Sequence, residues 1–98
     1  MSISIKSKKD IEKMKIAGQK ATSVLEMLRE YVVPGVSTAK LDDLAFKFIT
    51  EELKCIPANI GYGGFTKTLC TSVNNLICHC IPSEDKIIKN CDIVNIDV

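Results

Sequence analysis

The chain has 98 residues, 46% of them apolar and 26% charged, with a net charge of +1. Such a composition belongs to one globular domain, and a chain this short buries only somewhat more than about 60% of the surface its unfolded form exposes. The near-neutral balance and the single arginine, Arg29, give no electrostatic footprint for nucleic acid or an anionic membrane, and no apolar run is long enough to span a bilayer.

Residues 1–9 are polar and basic and no apolar stretch follows them, so no secretory leader is expected. There are five cysteines (Cys55, Cys70, Cys78, Cys80, Cys91), an odd number without a C-x-x-C pair. Together these features predict a reducing, cytoplasmic setting.

Ser7-Lys8-Lys9-Asp10 fits a capping box, in which a hydroxyl and a carboxylate three residues apart satisfy the first amides of a helix. From about Lys8 onward, Ile11, Met14, Ala17, Ala21, Val24, Leu25 and Leu28 recur at spacings of three and four, predicting one apolar face on a helix that Pro34-Gly35 ends. Ser37 or Thr38 is expected to cap a second helix, with Asp42 and Asp43 in its first turn near the positive end of the dipole. Leu41, Leu44, Ala45, Phe48 and Ile49 form its predicted buried stripe. Pro57 and the cluster Gly61-Tyr62-Gly63-Gly64 predict a loop.

Residues that favour strands gather at 69–73, 76–81 and 92–98, with 82–85 and a turn at Lys89-Asn90 between them. Helix, helix, then strands predicts an α+β arrangement, with two helices packed on one face of an antiparallel-rich sheet.

Few residues can carry chemistry. His79 is the only histidine and stands between Cys78 and Cys80. In a strand, neighbours point to opposite faces, so these three side chains are not expected to converge on one zinc. His79 has two readings, a hydrogen-bonded core histidine or a site residue. In the last strand Val94, Ile96 and Val98 share one face, while Ile93, Asn95 and Asp97 share the other. A carboxylate in such an apolar run is costly unless paired, metal-bound or exposed at an edge.

The stretches ISIKSKKDIEKMKIAGQKA, VVPGVSTAKLDDLA, GYGGFTKTLCTSVNNLICHCIP and NCDIVNIDV together resemble the type I methionine aminopeptidases over essentially the whole chain. The resemblance centres on the histidine of Cys-His-x-Ile-Pro and the strand Asp-Ile-Val-Asn-Ile-Asp. It implies the pita-bread α+β fold of the creatinase and aminopeptidase group. It also implies removal of the initiator methionine from new polypeptides by two divalent ions, of cobalt, manganese, iron or zinc.

By this resemblance Asp97 is the first metal ligand in chain order, and His79 is catalytic and contacts substrate. Tyr62, Phe65 and Cys70 line the pocket for the methionine side chain, although Cys70 reads equally as core packing. The chain departs from the pattern at Asn59, where cysteine is common, at Gly63, where histidine is common, and at Phe65, where tyrosine is common. Cys80 replaces a glycine and Asn75 a frequent glutamate.

The family's other four ligands, an aspartate, a histidine and two glutamates, would fall beyond Val98. Residues 1–98 are therefore expected to form a single incomplete domain, the amino-terminal portion of a catalytic domain, and to be inactive alone. The expected partners are nascent polypeptide N-termini, with no specific nucleic acid or membrane, and the parent is expected to be a monomer. The alternative reading is a non-catalytic pita-bread relative serving as a peptide-binding or interaction module.

Overall fold

A computed structural model describes residues 2–77 and 79–98. Cys78, and with it the expected face shared by Cys78 and Cys80, lies outside the described residues.

The capping box forms as its spacing predicts. Ser7 Oγ accepts from the Asp10 amide at 3.1 Å and Asp10 Oδ2 accepts from the Ser7 amide at 3.2 Å. Helix α1 (Lys8–Leu28) follows directly. Its apolar stripe is present, but only Val24 and Leu28 are buried, while Ile11, Met14 and Leu25 stay exposed. Burial begins late because only the last turns of α1 belong to the core. Met14, Ala17 and Ala21 instead wall an apolar groove of about 540 Å³. The helix also stops earlier than Pro34-Gly35, since the amides of Tyr31 and Val32 fold back onto the Leu28 carbonyl.

Ser37 caps helix α2 (Thr38–Lys47) through a 3.0 Å bond from the Lys40 amide. The helix runs on through a wider π turn, Phe48–Glu52. Leu41, Ala45 and Ile49 are buried, with Leu44 and Phe48 partly so, as the stripe predicts. Asp42 and Asp43 do not occupy the first turn. With Ser37 as cap they fall in the second, and Asp42 turns inward to 5% exposure.

Strands β1 (Cys70–Val73) and β2 (Val94–Asp97) form an antiparallel pair with Cys70 opposite Asp97 and Val73 opposite Val94. The two helices cover one side of this ribbon, where Leu69, Ile96 and Val98 meet Val24, Leu28, Leu41 and Ala45. Along β2 exposure alternates as expected, with Val94 and Ile96 half-buried and Asn95 and Asp97 exposed. Among the described residues of 76–81 no strand forms. Backbone angles in the left-handed region at Asn74 (φ 56°) and His79 (φ 57°) break the extended path, so β propensity there is overridden. The argument against a Cys-His-Cys zinc site from strand alternation therefore loses its geometric basis. Between 82–85 and the turn at Lys89-Asn90, segment 86–88 runs along 35–38, with Ile88 buried and its amide bonded to the Val36 carbonyl at 2.8 Å.

Among the described residues β2 pairs only with β1, and no helix is long and apolar enough to cross a membrane. Ile56 beside the α1 groove, Ile93 next to β2, and Tyr62 and Ile77 elsewhere are all exposed. Unpaired strand edges with apolar neighbours recruit other chains. The purified chain is expected to self-associate, giving a mass above 10.8 kDa that grows with concentration in size-exclusion chromatography with light scattering. A constant 10.8 kDa species would contradict this.

Candidate metal and substrate site

The β1–β2 ribbon positions most of the candidate residues, and side chains fasten it at both ends. At the end where β2 begins, the Asn74 amide donates to the Ile93 carbonyl at 2.8 Å and the Ile93 amide donates to Asn74 Oδ1 at 2.9 Å. Asn74 Nδ2 then donates to Asp92 Oδ1 at 2.9 Å, and Asp92 Oδ2 accepts from the Lys89 amide at 2.7 Å. Asparagine suits this corner because its short polar side chain tolerates left-handed backbone and bonds locally. The hydrogen bond from Asn74, then that from Lys89, holds the Asp92 carboxyl below its ordinary 3.8.

The opposite end carries a different fastening. Asp42 Oδ1 accepts from the amides of Thr68 and Leu69 at 2.8 and 2.7 Å. Burial pushes the Asp42 carboxyl above its ordinary 3.8, and the Leu69 and Thr68 amides and the charge of Lys67 draw it only partly back. Asn59 Nδ2 adds a bond to the Thr68 carbonyl at 3.0 Å and a longer one, 3.4 Å, to the Asp97 carbonyl.

Asp97 stands in this corner opposite Cys70. Its side chain is exposed, so within these 98 residues the carboxylate escapes the desolvation cost that the sequence pattern suggested. Cys70 is buried at 6% exposure. His79 is exposed, on the far side of β1 from β2, where the Cys80 carbonyl accepts from the Thr71 amide at 3.0 Å. One strand thus has the Asp97 strand on one edge and the His79 segment on the other.

Tyr62 and Phe65 lie on the glycine loop. The Gly61 amide bonds the Phe65 carbonyl at 2.7 Å and the Phe65 amide bonds the Tyr62 carbonyl at 3.0 Å, closing a short 3-10 turn over Tyr62–Gly64. Gly63 has φ 58°, so a larger residue here would be strained although no atom crowds it. Tyr62 is exposed and Phe65 half-buried.

Metal holding follows from the donors. A carboxylate oxygen suits a hard divalent ion, so Asp97 fits as one ligand of a larger set. Among the described residues no three histidine, cysteine, aspartate or glutamate side chains gather as a cage. Asp97 alone does not make a two-metal site, which needs several donors.

Asp42 and Asn59 were missed as site-shaping residues. Asp42 carried a usable signal, since it lies three residues before Ala45 and seven before Ile49, on the buried stripe of α2. Asn59 carried none, because its partners lie 9 and 38 residues away.

An antiparallel ribbon braced against two helices corresponds to the amino-terminal part of the pita-bread fold. The chain belongs to metallopeptidase family M24, whose sequence pattern matches residues 12–98. It is 50% identical over 98 residues to the methionine aminopeptidase of Escherichia coli K12 and 47% identical over 98 residues to that of Haemophilus influenzae. All of the chain is matched in both cases, but only 37% of either relative. The crystal structure of methionine aminopeptidase from Rickettsia prowazekii superposes with a TM-score of 0.91 at 47% identity, over 98% of this chain and 38% of that one. The enzyme from Thermotoga maritima gives 0.90 at 36% identity, over 97% and 38%. The chain thus spans a little over a third of the length of these relatives.

Asp42 and Asp92 titrate with opposite sign. Because folding raises the Asp42 value, its contribution is full below pH 3.8 and declines as pH climbs through the higher folded value. Because folding lowers the Asp92 value, its contribution is present above pH 3.8 and disappears as pH falls through the lower folded value. Thermal melts across this range are expected to show the Asp42→Asn variant gaining on the wild type as pH rises. The Asp92→Asn variant should instead gain as pH falls. Parallel curves for both variants would contradict the assignment.

Proposed function

We propose that residues 1–98 serve as the amino-terminal part of a methionine aminopeptidase that removes the initiator methionine from nascent polypeptides in the cytoplasm, as a monomer. The observation that carries this reading is the ribbon register, which sets Asp97 opposite Cys70 while the His79 segment is bonded to the other edge of β1. Identity of 50% to the E. coli enzyme across the whole chain supports it.

Two divalent ions, of cobalt, manganese, iron or zinc, would supply Lewis acidity toward the scissile carbonyl. Asp97 would hold one of these ions through a carboxylate oxygen, as one ligand of a larger set. His79 donates a hydrogen bond to negative charge developing on the substrate oxygen. Tyr62, Phe65 and Cys70 receive the methionine side chain, whose thioether packs well on aromatic faces and sulfur.

Calorimetric titration of the 98-residue chain with cobalt or manganese is expected to show no tight stoichiometric uptake. A hybrid in which this chain replaces the matching 98 residues of the E. coli enzyme is expected to hydrolyse methionyl peptides. In that hybrid His79→Ala should lower kcat by about a hundredfold or more, the scale of one lost stabilising donor. Asp97→Asn should abolish tight metal uptake. A folded, metal-loaded hybrid without turnover would refute the enzymatic reading.

The exposure of both Asp97 and His79 favours one second reading, a non-catalytic module that binds peptides. That reading requires the inactive hybrid still to bind a methionyl peptide, and to do so unchanged after Asp97→Asn.

A further inference from the structure

We infer that Asp42 is a positioning residue for Asp97, acting through the amides of Thr68 and Leu69; the inference rests on the reading of Asp97 as a metal-facing carboxylate. Asp42 does not touch Asp97. The link runs from the Asp42 carboxylate to Thr68 and Leu69, then one residue along the chain to Cys70, then across the ladder to Asp97.

Three features make this link stiff. Helix α2 is a fixed platform, because Leu41 and Ala45 beside Asp42 are completely buried. Both amides converge on the same oxygen, Oδ1, at 2.8 and 2.7 Å, so a sideways shift of 68–69 would misalign both bonds together. Thr68 is then held from its other side, where Asn59 Nδ2 donates to its carbonyl and reaches the Asp97 carbonyl as well. The Cys70–Asp97 pair consequently sits at a corner held from α2 and from the glycine-loop side.

A residue that served only to fill space here would be apolar. An aspartate at 5% exposure carries a desolvation cost, and its compensation is spent on the two amides that lead into β1. Asp42 thus ties helix α2 directly to the segment of β1 that pairs with the end of β2.

Residue-resolved amide exchange of the full 98-residue chain, at the lowest practical concentration, tests the link without reference to activity. In the Asp42→Ala variant, exchange at Thr68, Leu69, Cys70 and Asp97 is expected to accelerate by about tenfold or more. Amides of Leu28, Ala45 and Val94 should keep their wild-type rates. The Asp42→Asn variant, which retains an acceptor oxygen, should give a smaller rise at the same positions and serves if the alanine variant does not fold. Unchanged exchange at Asp97, or an equal rise at every core amide, would overturn the inference, the latter because Asp42 would then only stabilise the whole fold.

A second arm uses the E. coli hybrid. There Asp42→Asn should weaken manganese binding by about 10–100-fold, with turnover recovering at saturating manganese. A turnover defect that manganese does not restore would overturn the inference. An inactive hybrid with wild-type Asp42 would instead refute the aminopeptidase reading and leave the exchange result to decide the role of Asp42.

Discussion

The pairing register of β1 and β2 is the constraint from which the rest of this structure follows. Side chains along a strand alternate faces, so a slip of one residue would exchange Asp97 with Ile96 and bury a carboxylate where the core expects a methyl group. Four paired residues on each side provide few ladder bonds to resist such a slip. The fold adds resistance outside the ladder, through the Asn74 and Asp92 bonds at one end and the Asp42 and Asn59 bonds at the other.

The two fastenings differ in physical character. Asp92 sits at the surface, accepts hydrogen bonds in its charged form and is favoured by ionisation. Asp42 is buried, and burial opposes its ionisation even as the Leu69 and Thr68 amides favour it. The ribbon is therefore held at one end by a solvated bond network and at the other by a carboxylate in partial conflict with its surroundings. Buried carboxylates of this kind are expensive, and their retention is easiest to understand where they define a location rather than add stability.

What the sequence disclosed tracks the distance over which each signal acts. The capping box was legible because Ser7 and Asp10 answer each other within one turn, and the stripe of α2 because Leu41, Ala45 and Ile49 repeat on the helical period. Alternation along β2 was legible for the same local reason. The place of Asp42 on the α2 stripe signalled its burial but not its partners, which lie 26 and 27 residues away. The expected strand over 76–81 failed because residue preference cannot foresee left-handed backbone at Asn74 and His79. Of the site, the residue types and their order came from family likeness, whereas the exposure of Asp97 and the position of Cys80 beside Thr71 required coordinates.

The bond between Asn74 and Asp92 also closes an excursion of the chain at its base, since the two residues are 18 apart in sequence yet joined at 2.9 Å. The excursion is tied back along its length as well, by the Cys80 carbonyl on the Thr71 amide, by Ser83 on Thr38 and by Ile88 on Val36. The entropy of closing a loop rises only slowly with its length, by about 0.6 kcal/mol for each doubling. Extra residues at the exposed Glu84-Asp85 tip would thus leave β2 in step with β1, and evolution has room there to lengthen or reshape the outer arm without moving Asp97.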